Sequence, residues 1–143
     1  MGWTAHALDA LGSAGYRSGN ARRAVVELLG RQRCCLSAQE IFDRLRGGRR
    51  PVGIASVYRT LDTLVELRLV KRIDAGDGVA RFEPADPGGE HHHHLVCRDC
   101  GKVEAFSDAR LERAIGKVAG GLGYDVDEHE VVLTGACAEC WSG

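Results

Sequence analysis

Apolar residues recur at helical spacing through the first half of the chain and then give way to short alternating runs. Ala5 to Leu11 keeps the helical period. Asn20 stands where it can cap a helix running through Arg23, Val25, Val26, Leu28 and Leu29 to Gly30. Ser37 opens the next helix, and Glu40 three positions later completes a capping box. Ala38, Ile41, Phe42 and Leu45 form its apolar face, and Gly47 and Gly48 end it. A further helix starts near Ala55 or Ser56, with Val57, Leu61, Leu64 and Val65 as its buried stripe. Leu69 to Asp74 and Val79 to Glu83 then read as strands joined by a Gly76-Asp77-Gly78 turn. Helices followed by a hairpin predict a winged helix-turn-helix.

Pro84 to Glu90, with Pro87, Gly88 and Gly89, interrupts the pattern. We expect a DNA-binding domain over 1–84, a hinge linker over 85–90 and a second domain over 91–143. The second half predicts strands at His93 to Val96 and Lys102 to Phe106. A helix opened by Asp108 follows, through Leu111, Ile115 and Val118 to Gly120-Gly121, and then a strand from Glu128 to Thr134. The expected class is α+β: an N-terminal winged helix-turn-helix and a small C-terminal α/β domain. So few aromatics make a thin core, and a domain of that size is marginal alone. A zinc staple and dimerisation are both expected to support it.

Charge sharpens the division. Residues 1–84 hold 14 Lys/Arg against 9 Asp/Glu, and residues 85–143 hold 5 against 11. A basic half beside an acidic, ligand-rich half points to nucleic acid and metal respectively, although a solvated charged face gives the same bias. No apolar run reaches membrane-spanning length, and no basic-then-apolar leader is present. The expected location is the cytoplasm, with no membrane partner and no small-molecule substrate. There, six cysteines indicate metal ligation or redox chemistry rather than structural disulfides.

Cys97-x-x-Cys100 and Cys137-x-x-Cys140 have the paired spacing of a closed tetrahedral zinc site. Two unrelated pairs or a redox dithiol are the alternatives. His91 to His94 precede the first pair; on a strand His92 and His94 point one way and His91 and His93 the other, so one run can serve two sites. A solvated polyhistidine run is the bland reading.

Gly53 to Leu61 reads as the start of a recognition helix, whose first residues enter the major groove in a helix-turn-helix. Ser56, Tyr58, Arg59 and Thr60 are the candidate base readers, and Arg17, Arg22, Arg49 and Arg50 the candidate phosphate contacts. An amphipathic helix with a wet polar face is the alternative.

Three stretches together resemble the ferric uptake regulator family of metal-dependent repressors. They are Ala55-Ser56-Val57-Tyr58-Arg59-Thr60-Leu61, the run from His91 to Lys102 with its HHHHLVCRDCGK pattern, and Cys137-Ala138-Glu139-Cys140. The resemblance covers nearly the whole chain in the family's order. It implies a homodimer with an N-terminal winged helix and a C-terminal dimerisation domain, binding palindromic operators of metal-uptake genes. It also implies a regulatory hinge site of Cys35, Glu83, His92 and His94. Cys35 stands where the family often has histidine, and Asp86 is an alternative to Glu83. His91, His93, Glu112 and His129 match a second family site.

A thiolate beside imidazole and carboxylate suits Zn2+ better than Fe2+ or Mn2+. The expected metals are therefore a structural Zn2+ and a regulatory Zn2+, with iron, peroxide, manganese or nickel sensing as the other readings. If Cys34 and Cys35 are only small core residues, that preference weakens. An enzyme is not expected: His-Glu-x-x-His is missing, and so is His-x-Glu with Pro-Cys-x-x-Cys. A zinc-ribbon interaction module that never touches DNA is the remaining rival.

Overall fold

One-sided helices build the first half. The computed structural model describes residues 2–17, 19–32, 34–85 and 92–141 and divides into two units, residues 1–89 and 90–143. The first contains α1 (Trp3–Ser13), α2 (Asn20–Arg31), β1 (Leu36–Ser37), α3 (Ala38–Leu45), α4 (Ile54–Glu66), β2 (Val70–Asp74) and β3 (Ala80–Pro84). Leu11 of α1, Val25, Val26 and Leu29 of α2, Ile41 of α3 and Val57, Leu61 and Leu64 of α4 meet in one buried cluster with Phe82 of β3. Each such aliphatic side chain contributes about 1.5–3 kcal/mol on burial. The α1 and α2 backbones approach closely, since a Cβ at Gly30 would run into Thr4. Trp3 Nε1 donates to the Leu69 carbonyl at 2.9 Å and ties α1 to the start of the hairpin.

The capping box at α3 forms as expected: the Glu40 N–H donates to Ser37 Oγ and the Ser37 N–H to Glu40 Oε1, both at 3.1 Å. Two expectations are corrected. Asn20 does not cap α2; Gly19 occupies the cap position, and the Asn20 amide donates to the Arg50 carbonyl at 3.3 Å instead. Thr60 is 3 % exposed and belongs to the core face of α4, not its polar face. Positions 57, 60, 61 and 64 repeat at the helical period, so Thr60 follows Val57 inward. Val65, expected in the buried stripe, is only half-buried.

The hairpin strands pair antiparallel, with Lys71 opposite Glu83 and Ile73 opposite Arg81. Gly76 and Gly78, both at φ +80°, supply the left-handed backbone of the turn. Two-residue β1 was not expected from the sequence; it joins the sheet in the order β1-β3-β2, with Leu36 opposite Phe82 and Ser37 opposite Arg81.

The second unit comprises β4 (His93–Cys97), β5 (Val103–Phe106), α5 (Ala109–Gly121) and β6 (Val132–Gly135). Its sheet has the order β5-β4-β6, with β4 antiparallel to β5 and parallel to β6. Asp108 caps α5 by accepting the Arg110 N–H at 2.8 Å. The last strand begins at Val132 rather than near Glu128. The Val131 N–H donates to the His93 ring instead of a strand carbonyl, and His129 turns toward Glu112. Among the described residues no helix is long and apolar enough to cross a membrane.

Candidate metal centres and nucleic-acid surface

Cys97 closes β4, and Cys137 follows β6 by two residues; the parallel register places Cys97 opposite Gly135. The two C-x-x-C turns therefore converge. Cys100 and Cys137 Sγ atoms lie 3.8 Å apart, the Cys137 N–H donates to Cys97 Sγ at 3.3 Å, and all four sulfurs fall within 4.8 Å of one another. Four Zn–S bonds of about 2.3 Å in a tetrahedron give sulfur separations of about 3.8 Å. The four residues thus fit a closed zinc site, and they carry thiols rather than disulfides. Backbone N–H groups of Cys100 and Cys137 draw the Cys97 thiol down to about 6. Hydrogen bonding among its neighbours, Cys137 first, pushes Cys140 up to about 12. A bound cation would hold its sulfur ligands as thiolates.

A second cluster joins β4, α5 and the segment before β6. Glu112 reaches His93 Nε2 with Oε1 and His129 Nε2 with Oε2, each at 2.6 Å. The Val131 N–H donates to His93 Nδ1 at 3.1 Å, so the neutral ring carries its proton on Nε2 and donates it to Glu112. The three donor atoms lie within 4.8 Å of one another. The fourth expected member, His91, lies outside the described residues, as does Asp86.

The expected hinge ligands fall into two pairs, each within its own unit. In the first unit Cys35 immediately precedes β1, and extending the β1–β3 register sets it opposite Glu83. They are 7 % and 3 % exposed. Hydrogen bonding between the Cys34 and Cys35 thiols pushes the Cys35 pKa up most strongly; burial and the Glu83 charge add to this, while Arg81 opposes it. In the second unit the His92 and His94 rings lie 5.1 Å apart at 64°. His93 departs toward Phe106 and His129, which is the expected alternation. Sequence reasoning missed Glu130, whose Oε1 stands 3.7 Å from His94 Nδ1. Only the late start of β6 puts it there, and no local pattern signals that.

On α4 the guanidinium of Arg59 donates to Ser56 Oγ at 3.1 Å, and Tyr58 is 52 % exposed. Arg22 donates to the Arg17 carbonyl at 3.0 Å and lies 5.2 Å over the Tyr16 ring. The Asn20 bond to Arg50 ties the Arg49-Arg50 loop to the start of α2. The first unit therefore presents a polar, exposed edge of α4 and an Arg22 side chain held by Arg17 and Tyr16.

The family model described as "Ferric uptake regulator family" matches residues 13–134. The ferric uptake regulation protein of Bacillus subtilis is 34 % identical over 132 residues, covering 91 % of this chain and 89 % of that protein. The fold is similar to that of the ferric uptake regulator of Helicobacter pylori, described as revealing three functional metal binding sites. The TM-score is 0.84 at 27 % identity, over 96 % of this chain and 93 % of that one. FurB of Mycobacterium tuberculosis, described as a zinc uptake regulator, is 33 % identical with a TM-score of 0.50, over 91 % of this chain and 99 % of that one. Relatives named for iron and for zinc both match, so family membership does not by itself select the metal. With two clusters of metal-ligating residues behind a winged helix, and with matches that span nearly its full length, the chain belongs to the ferric uptake regulator family.

Proposed function

We propose that the protein is a zinc-responsive transcriptional repressor that binds palindromic operators of metal-uptake genes as a homodimer in the cytoplasm. The observation that carries this reading is the buried Cys35 opposite Glu83, in the same unit as the exposed edge of α4. The regulatory ion would be held by Cys35 and Glu83 together with His92 and His94, and Cys97, Cys100, Cys137 and Cys140 would hold the structural zinc. His93, Glu112 and His129, with His91, would form an auxiliary site. The three-site description of the Helicobacter pylori relative supports that division. Sulfur in the regulatory set favours zinc over iron or manganese. The iron-responsive reading is the second one, supported by the name of the Bacillus subtilis relative.

Dimerisation is supported by apolar surface on the second unit. Leu95 and Leu133 sit side by side on the sheet, and both are exposed, as are Val118, Leu122, Tyr124 and Trp141. Apolar surface of this kind marks an interaction site. In a dimer, two recognition helices at fixed spacing match a palindromic operator. Shifting a two-state equilibrium from mostly incompetent to mostly competent takes about 5.5 kcal/mol of differential metal affinity, a demand that four protein–metal bonds can meet.

Ser56, Tyr58 and Arg59 are proposed to read the operator, and Arg17 and Arg22 to hold phosphate. The test is a gel shift on an inverted-repeat operator with and without a chelator. Retarded complex with metal only is expected; binding that ignores metal, or no binding at all, contradicts the proposal. Arg59→Ala should weaken operator affinity by about 1–3 kcal/mol if the guanidinium contacts a base edge, with metal content unchanged.

A further inference from the structure

We infer that Cys34 and Cys35 act together as a vicinal dithiolate, so that the first unit presents two sulfurs rather than one to a soft divalent cation. The inference rests on the reading of Cys35 as a regulatory ligand and extends it to the neighbouring residue. Successive side chains of an extended strand point to opposite faces. Cys34 and Cys35 depart from this: Cys34 stands in a bend before β1, and the two Sγ atoms lie 3.8 Å apart. That is far beyond a disulfide bond of about 2.05 Å. It matches the separation of about 3.8 Å for two sulfurs on one tetrahedral ion with bonds of about 2.3 Å. Cys100 and Cys137, in the four-cysteine cluster, show the same 3.8 Å spacing.

Glu83 lies opposite Cys35 in the extended β1–β3 register, and its charge acts on the Cys35 thiol. A pair of sulfurs is suited to zinc and other thiophilic ions, and poorly suited to manganese. On binding, each thiol releases its proton to solvent as its sulfur takes up the cation.

The test uses the full-length protein with zinc retained in the four-cysteine site, titrated with Co2+. Cobalt binds such sites less tightly than zinc and leaves that ion in place. The readout is the sulfur-to-cobalt charge-transfer absorbance per protein at cobalt saturation, to which the sulfur-free auxiliary site adds nothing. Wild type should show the intensity of two thiolates. Cys34→Ser and Cys35→Ser should each show half of it, and the double variant none. Full intensity in Cys34→Ser overturns the dithiolate while leaving Cys35 as the sulfur ligand. Full intensity in Cys35→Ser, or no band in wild type, instead removes Cys35 from the regulatory site and defeats the reading beneath it. X-ray absorption at the cobalt edge of Glu112→Ala, which removes the auxiliary site, leaves both cysteines intact: two sulfur neighbours per cobalt support the inference and one rejects it.

Discussion

The first unit buries Leu29, Ile41, Leu61, Leu64 and Ile73 completely, whereas the residues most buried in the second are His93, His94, Val96 and Cys97. None of the α5 residues is buried. One unit is held by aliphatic packing. The other is held at the places where sulfur, imidazole and carboxylate converge, and it leaves apolar side chains exposed for a partner. Small domains reach stability either by enclosing a core or by adding ligands and partners, and only the first half of this chain encloses an extended aliphatic core. The contrast also separates tasks: a rigid winged helix is suited to presenting a recognition surface, and a ligand-built sheet is suited to responding to metal.

The largest effect is expected from removing one cysteine of the four-cysteine cluster. Cys97→Ser should abolish ordered structure in the second unit, because structural zinc sites in small folds supply about 10–16 kcal/mol. Amide hydrogen exchange should then lose protection over residues 92–141 and keep it over α2, α3 and α4. Equal loss in both units would show that the first does not stand on its own core. The converse substitution, Leu61→Ala, should cost the first unit about 2–5 kcal/mol by opening a cavity. Its urea midpoint should fall while zinc content stays unchanged. The smallest effect is expected from Ser37→Ala, which removes the Oγ acceptor of the α3 cap and should cost about 0.5–2 kcal/mol. A loss larger than that would mean that the buried Ser37 side chain matters beyond the cap.

Much of this organisation was legible in the residues, and the exceptions have physical causes. The capping box of Ser37 and Glu40 and the glycine turn at Gly76 and Gly78 are local devices whose geometry is written in adjacent residues. The convergence of the four cysteines was legible because paired C-x-x-C steps are the spacing of a tetrahedral site. Asn20 was misread because its amide has a distant partner, the Arg50 carbonyl, which competes with the cap. Thr60 was misread because its polarity outweighed its position, although the helical period already placed it with Val57 and Leu61. Strand β1 is too short for any alternation to reveal it. Glu130 escaped notice because its approach to His94 depends on where β6 begins, and that is decided by long-range bonds of His93 and His129.

A regulatory ion at Cys35, distinct from one held by the four cysteines, is proposed to control DNA binding. This control is tested most directly by operator binding followed as fluorescence anisotropy across buffered free-zinc concentrations, on protein that keeps its four-cysteine zinc, with Cys35→Ser measured in parallel. The account predicts steep zinc dependence for wild type and a transition displaced by at least tenfold in the variant, which remains a folded dimer. Coinciding curves for the two proteins, or tight binding at vanishing free zinc, would contradict it.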